Sequence, residues 1–199
     1  MKRKHFLKSV IGASAFLGIP FNSFSSDRNS IQELINNTKK EVDGSMFEFS
    51  SSPIKKVRVG IIGLGNRGNT LLEMFQYLSE NNHAEIVALS DITEKKVNSA
   101  SEKLSAWQNK KANLYYKTNS DWKKLCQRDD IDLVIIATPW DLHTPMALYA
   151  MENGKHVGSE VPIASTIEDC WSLIQTAEST KKHCMMMENC NYNEEELWI

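Results

Sequence analysis

Gly63-Leu64-Gly65-Asn66-Arg67-Gly68 follows directly on the apolar run 57–62, which places a complete G-x-G-x-x-G at the exit of a predicted strand. Each glycine has a physical task in that setting. The first permits the tight turn from strand to helix, the second lets the backbone approach a pyrophosphate, and the third lets the helix pack close to the strand. The anion then rests on the helix N-terminus, where unpaired N–H groups and the dipole favour negative charge. Six-residue glycine patterns also occur in ordinary loops, so context decides. A second β-branched run, 85–90, ends in Asp91, roughly 20 positions past the motif, where an acid holds the adenosine ribose hydroxyls of a dinucleotide. A carboxylate there repels a 2′-phosphate, which favours NAD over NADP. Asp91 also has a second reading, as a cap for a helix starting near Thr93.

Outward from this motif, apolar runs alternate with amphipathic segments. Strands are expected over 57–62, 85–90, 114–116, 133–137, 156–158 and 183–187, and helices over 66–79, 94–107, 120–128, 145–153 and 167–179. The fourth helix is punctuated by Thr144 as N-cap, Pro145 at the first helical position and Gly154 just past the end. Strands alternating with helices predict an α/β fold with a doubly wound, mostly parallel Rossmann sheet. The unbroken apolar run Leu133-Val134-Ile135-Ile136-Ala137 is that of a strand covered on both faces. Ligands of such sheets bind beyond the carboxyl ends of the strands, which draws attention to 64–68, Asp91, 138–143, 159–162 and 188–192.

With 199 residues, 41% of them hydrophobic, and a net charge of −2, the composition is that of a globular chain with room for one domain and some tails. No polybasic surface points to nucleic acid. The five histidines and four cysteines (Cys126, Cys170, Cys184, Cys190) lack metal-ligand spacing, so no metal is expected. Cys184 and Cys190 flank a predicted strand and read as buried thiols; a disulfide between them is the alternative in an exported protein.

The N-terminus reads as an export signal over 1–26. Lys2, Arg3 and Lys4 precede an apolar segment, 10–19, too short to span a bilayer, and small residues follow at Ser23 and Ser25. Arg3-Lys4-His5-Phe6-Leu7-Lys8 resembles the twin-arginine pattern R-R-x-F-L-K, with lysine as the second residue. That route carries folded proteins, which suits a chain loaded with a nucleotide before export to the periplasm or medium. No cysteine follows to take a lipid anchor. Residues 27–54 read as a polar linker with a short helix near 31–40, and 55–190 as the nucleotide-binding domain. Over 191–199, Asn193 with Glu194, Glu195 and Glu196 makes a helix start after which only Leu197, Trp198 and Ile199 remain. One isolated turn is unstable, so the expectation is a truncated helix leading to a missing second domain.

Two further segments carry a recognisable pattern. Ala137-Thr138-Pro139-Trp140-Asp141-Leu142-His143 and Gly154-Lys155-His156-Val157-Gly158-Ser159-Glu160-Val161-Pro162 resemble the glucose-fructose oxidoreductase and inositol dehydrogenase superfamily of NAD(P)-dependent sugar enzymes. Dehydrogenases of that superfamily carry Glu-Lys-Pro where this chain has Glu160-Val161-Pro162, and valine cannot handle a hydroxyl proton as the lysine does. Glu-Val-Pro, with Thr-Pro-Trp upstream and Met185-Met186-Met187-Glu188-Asn189-Cys190 downstream, resembles one branch, glycoside hydrolase family 109, the NAD-dependent glycosidases typified by bacterial α-N-acetylgalactosaminidase. Val161 can also be read simply as a core residue at a strand end.

The resemblance implies a reaction on terminal α-linked N-acetylgalactosaminyl glycans without a paired-carboxylate mechanism. Hydride leaves C3 of the sugar for NAD, the ketone acidifies the C2 proton, the C1 group is expelled, water adds, and the hydride returns. It also implies cofactor contacts: Gly63, Gly65, Asn66, Arg67 and Gly68 at the pyrophosphate, Asp91 at the adenosine ribose, Trp140, Asp141, Leu142 and His143 along the path to the nicotinamide, and Glu160, Val161 and Asn189 near its ribose and ring. His143 has an equal reading as a residue that only hydrogen-bonds backbone, and Tyr192 as either a site residue or packing. Acid, base and most substrate contacts are implied to come from the second, α/β domain. The alternatives are an NAD-dependent sugar dehydrogenase that has replaced its lysine, and a non-catalytic NAD-binding protein or inactive fragment. Homo-oligomerisation is left open.

Overall fold

A computed structural model describes residues 46 and 49–188. By its contacts the chain divides into Met1–Lys40 and Glu41–Ile199, and the described residues belong to the second unit. The export signal, the helix near 31–40, most of the linker, Asn189, Cys190, Tyr192 and the C-terminal helix start lie outside the described residues.

The sheet is built from β1 (Val57–Ile62), β2 (Ala84–Ser90), β3 (Asn113–Tyr115), β4 (Leu133–Ile136), β5 (His156–Ser159) and β6 (Cys184–Met186). Every pairing is parallel, in the order β3-β2-β1-β4-β5-β6, which is that of the doubly wound dinucleotide folds. The chain works outward from β1 in one direction, then returns to the other side at β4. The carboxyl ends of β1 and β4 therefore diverge around a crevice.

Helices α1 (Asn66–Glu80), α2 (Glu94–Ser105), α3 (Asp121–Cys126), α4 (His143–Glu152) and α5 (Ile167–Thr180) cover the two faces. Side chains alternate across each strand, so β1 sends Val59 and Ile61 to one core and Ile62 to the other. On one face Leu71 and Leu72 of α1 and Val97, Ala100 and Leu104 of α2 pack on Val59, Ile61, Ile86, Leu89 and Ile135. On the other, Leu125 of α3, Met146, Ala147, Ala150 and Met151 of α4 and Leu173 of α5 pack on Ile62, Val134, Ile136 and Val157. β4 feeds both cores, which explains its unbroken apolar run.

The start of α4 corrects the expected cap. A 3₁₀ turn, Trp140–Leu142, runs directly into the helix, whose N-cap is Leu142. The Thr144 hydroxyl instead donates to the Ile163 carbonyl at 2.8 Å, tying α4 to the loop after β5. Pro145 sits within the first turn, where its missing N–H costs nothing. At α5, Thr166 does cap, accepting from Asp169 N–H at 3.1 Å.

Candidate functional site: a cleft over the glycine turn

The carboxyl ends of β1, β2 and β4 open onto a cleft of about 650 Å³. Its lining includes Gly63, Gly65, Asn66 and Arg67 on one wall, Asp91 and Lys96 at one end, and Thr138, Pro139 and Leu142 opposite. Gly63 has φ +90°, and a Cβ there would lie 2.5 Å from the Ala137 carbonyl oxygen, so both torsion and space require glycine. A Cβ on Gly68 would stand 1.9 Å from the Gly63 carbonyl oxygen, which is the close approach of helix to turn. Gly65 differs: a Cβ there meets nothing within 4 Å, because the position faces open space. This is a cradle that a side chain would fill, beside the electropositive start of α1. The donor set suits a pyrophosphate.

Asp91 does more than face the cleft. Its Oδ2 accepts from Leu64 N–H at 2.8 Å and its Oδ1 from Thr93 N–H at 2.8 Å, with Lys96 Nζ 4.0 Å away. Thus the acid at the end of β2 fixes the glycine turn and the entry of α2 while it lines one end of the cleft. Asn69 supports the same turn, its Nδ2 donating to Leu64 O and Gly65 O at 2.8 and 3.0 Å. Sequence reading passed over Asn69, since a helical asparagine carries no motif.

His143 is 1% exposed and lies behind the cleft wall. Nδ1 sits 2.8 Å from Pro162 O and Nε2 2.7 Å from Thr138 O, so the ring bolts the segment after β4 to the Glu160-Val161-Pro162 segment after β5. Of its two readings, backbone hydrogen bonding is the one the geometry realises. Trp140 is 67% exposed, and with Asp141, Ser165 and Asp169 it borders a second depression. Pro139 borders both depressions. Glu160 is nearly buried, its carboxylate 2.7 Å from Arg67 Nε. Val161 is half-buried just beyond it.

The cleft also has a wall that the sequence reading missed: Thr118, Asn119 and Trp122, from the exit of β3 and the start of α3. Asp121, 3% exposed, shapes it by accepting from Lys117 N–H at 2.7 Å, Thr118 N–H at 3.2 Å, Thr118 Oγ1 at 2.9 Å and Lys124 Nζ at 2.8 Å. The Lys124 hydrogen bond, then that of Thr118, holds its carboxyl well below the usual carboxylate range. The strand-end rule applied to β3 points straight at this segment. Among the described residues, no group of three or more His, Cys, Asp or Glu is placed to hold a metal ion, and no helix is long and apolar enough to cross a membrane.

Fold, strand order and glycine cradle define a dinucleotide-binding Rossmann domain. The chain belongs to the oxidoreductase family with an NAD-binding Rossmann fold, whose family model matches residues 57–188. It is 39% identical over 197 residues, 99% of its length, to the alpha-N-acetylgalactosaminidase of Shewanella oneidensis and to glycosyl hydrolase family 109 protein 1 of Shewanella sp. strain ANA-3. A Streptomyces filamentosus protein, also named for glycosyl hydrolase family 109, is 45% identical over 156 residues, 78% of this chain and 30% of that one. The chain spans only 41% of the Shewanella proteins. Among solved structures, an NAD-binding protein from Listeria innocua superposes with a TM-score of 0.59 at 28% identity, covering 71% of this chain and 38% of that one. The WlbA dehydrogenase of Chromobacterium violaceum, solved with NADH and UDP-GlcNAcA, shares the fold with a TM-score of 0.64 at 24% identity, over 77% of this chain and 41% of that one. NAD is the cofactor of this domain.

Proposed function

We propose that the whole protein is an exported NAD-dependent glycosidase that releases terminal α-linked N-acetylgalactosamine, and that the chain described is its cofactor-holding part. The observation that carries the reading is Val161. In the Glu-x-Pro segment after β5, a position held by lysine in sugar dehydrogenases has no group able to take a hydroxyl proton, in a chain 39% identical over nearly its whole length to an alpha-N-acetylgalactosaminidase. Bound NAD supplies a reversible hydride acceptor at C3 of the sugar, so a turnover that ends in hydrolysis consumes no cofactor. The chain's own residues hold and orient. Gly65 and the start of α1 take the pyrophosphate, Asp91 the adenosine ribose, and Glu160 the nicotinamide nucleoside, with Trp140 and Asp141 along the rim. The acid and base groups acting at C2 and C1 belong, in this reading, to the part of the relatives that this chain does not span.

The test is an aryl α-N-acetylgalactosaminide given to full-length protein from the periplasmic fraction and medium of its cells. The account expects aryl alcohol release with no net NADH. Stoichiometric NADH growth makes the protein a dehydrogenase, absence of turnover makes it a non-catalytic NAD-binding protein, and activity confined to the cytoplasm removes the export reading.

A further inference from the structure

An ion pair ties the glycine turn to the segment after β5. Arg67 Nε donates to Glu160 Oε1 at 2.7 Å, with the side chains 33% and 11% exposed. The two residues are 93 positions apart. They meet because β4 alone separates β1 from β5, so the pair reaches across the carboxyl end of β4 at the crevice. An arginine in the first turn of a phosphate-binding helix invites assignment to the pyrophosphate. The geometry commits its Nε elsewhere. Swinging the guanidinium onto a phosphate would strand a nearly buried carboxylate, and removing one partner of such a pair leaves the desolvation of the other uncompensated. The pyrophosphate has donors without it, from the helix start beside the open Gly65 position.

We propose that Arg67 is a positioning residue: it holds the Glu160 carboxylate in place to accept hydrogen bonds from the nicotinamide nucleoside, and it is not itself the pyrophosphate ligand. This rests on the NAD-binding reading of the cleft. Loss of Arg67 then weakens ligands that extend to Glu160 more than ligands that end at the diphosphate. ADP, which carries the diphosphate and no second nucleoside, separates the two roles.

Calorimetric titration of the 199-residue chain with ADP and with NAD⁺ tests this, using wild type, Arg67→Met, Glu160→Gln and the double variant, each checked for folding by circular dichroism. We expect NAD⁺ affinity to fall about tenfold in either single variant and no further in the double, with ADP affinity changed less than about twofold, as for loss of one hydrogen bond to a charged group. Arg67→Lys, which keeps the charge without the planar fork, should recover part of the loss. If Arg67→Met fails to fold, Arg67→Lys and Glu160→Gln carry the same comparison. Equal weakening of ADP and NAD⁺ would make Arg67 a phosphate ligand and overturn the proposal. So would unchanged NAD⁺ affinity in the single variants, or additive losses in the double. A folded wild type that binds neither nucleotide overturns the NAD-binding reading itself, which distinguishes the two failures.

Discussion

Asp91 realises its backbone-bonding reading while also lining the cleft. Its two oxygens accept from Leu64 N–H and Thr93 N–H, so the carboxylate stands at the cleft already oriented by the turn that it stabilises. A ribose hydroxyl that donates to it gains an acceptor held in position beforehand, with little ordering left to do. Asp91→Ala should therefore weaken NAD binding by roughly 1.5–3 kcal/mol, the range for hydrogen bonds to a charged group, and also lower the melting temperature, because the backbone N–H groups lose their acceptor. Calorimetry and thermal unfolding read the two effects separately. A loss of stability with unchanged affinity would leave Asp91 a cap alone. Its position was legible from strand, turn and spacing. Its grip on Leu64 was not, since that bond needs β1 and β2 side by side.

At the level of elements, what the sequence disclosed and what it hid have physical reasons. β1, β2 and β4 are long or unbroken apolar runs, and their periodicity survives in any context. β3 is short and half-buried and its exit is polar, so nothing local marked Thr118, Asn119 and the helical Trp122 as a cleft wall. Thr144 looked like a cap because local spacing suggested it, while its actual partner, Ile163 O, is 19 residues away. Arg67 and Glu160, 93 residues apart, left no local trace. The β3 exit yields a pH prediction. Asp121 has a folded-state pKa depressed chiefly by Lys124, so its support is complete above the unfolded-state value of about 3.9 and is lost as pH falls through and below it. Wild type should lose melting temperature as pH falls from about 4 to about 2 more steeply than Asp121→Asn, which has no carboxylate to protonate. Parallel curves would mean that Asp121 does not hold the loop through its charge.

At the scale of the described residues, the candidate cofactor site lies at the carboxyl edge of the sheet. A sheet that reverses its order between β1 and β4 opens a crevice there; the glycine turn with Arg67, Asp91 and Thr138–Pro139 border it, and Glu160 is ion-paired to Arg67. The doubly wound fold was legible because the alternation of elements admits few topologies. The 3₁₀ turn that carries Trp140 and replaces the expected cap was not, because Thr144 bonds to a carbonyl 19 residues away. Everything proposed about hydrolysis presupposes that NAD lies in the cleft over the glycine turn with its pyrophosphate at Gly65. Titration of NAD into folded wild-type and Gly65→Ala protein tests that most directly, since among the described residues an alanine Cβ there meets nothing within 4 Å beyond its chain neighbours, so the fold is expected to be undisturbed. The account predicts saturable binding by wild type and, at an unchanged melting temperature, an affinity at least about tenfold weaker in Gly65→Ala, from a methyl group set where the pyrophosphate must approach the backbone. Equal affinity in the two proteins, or no binding by the folded wild type, would contradict it.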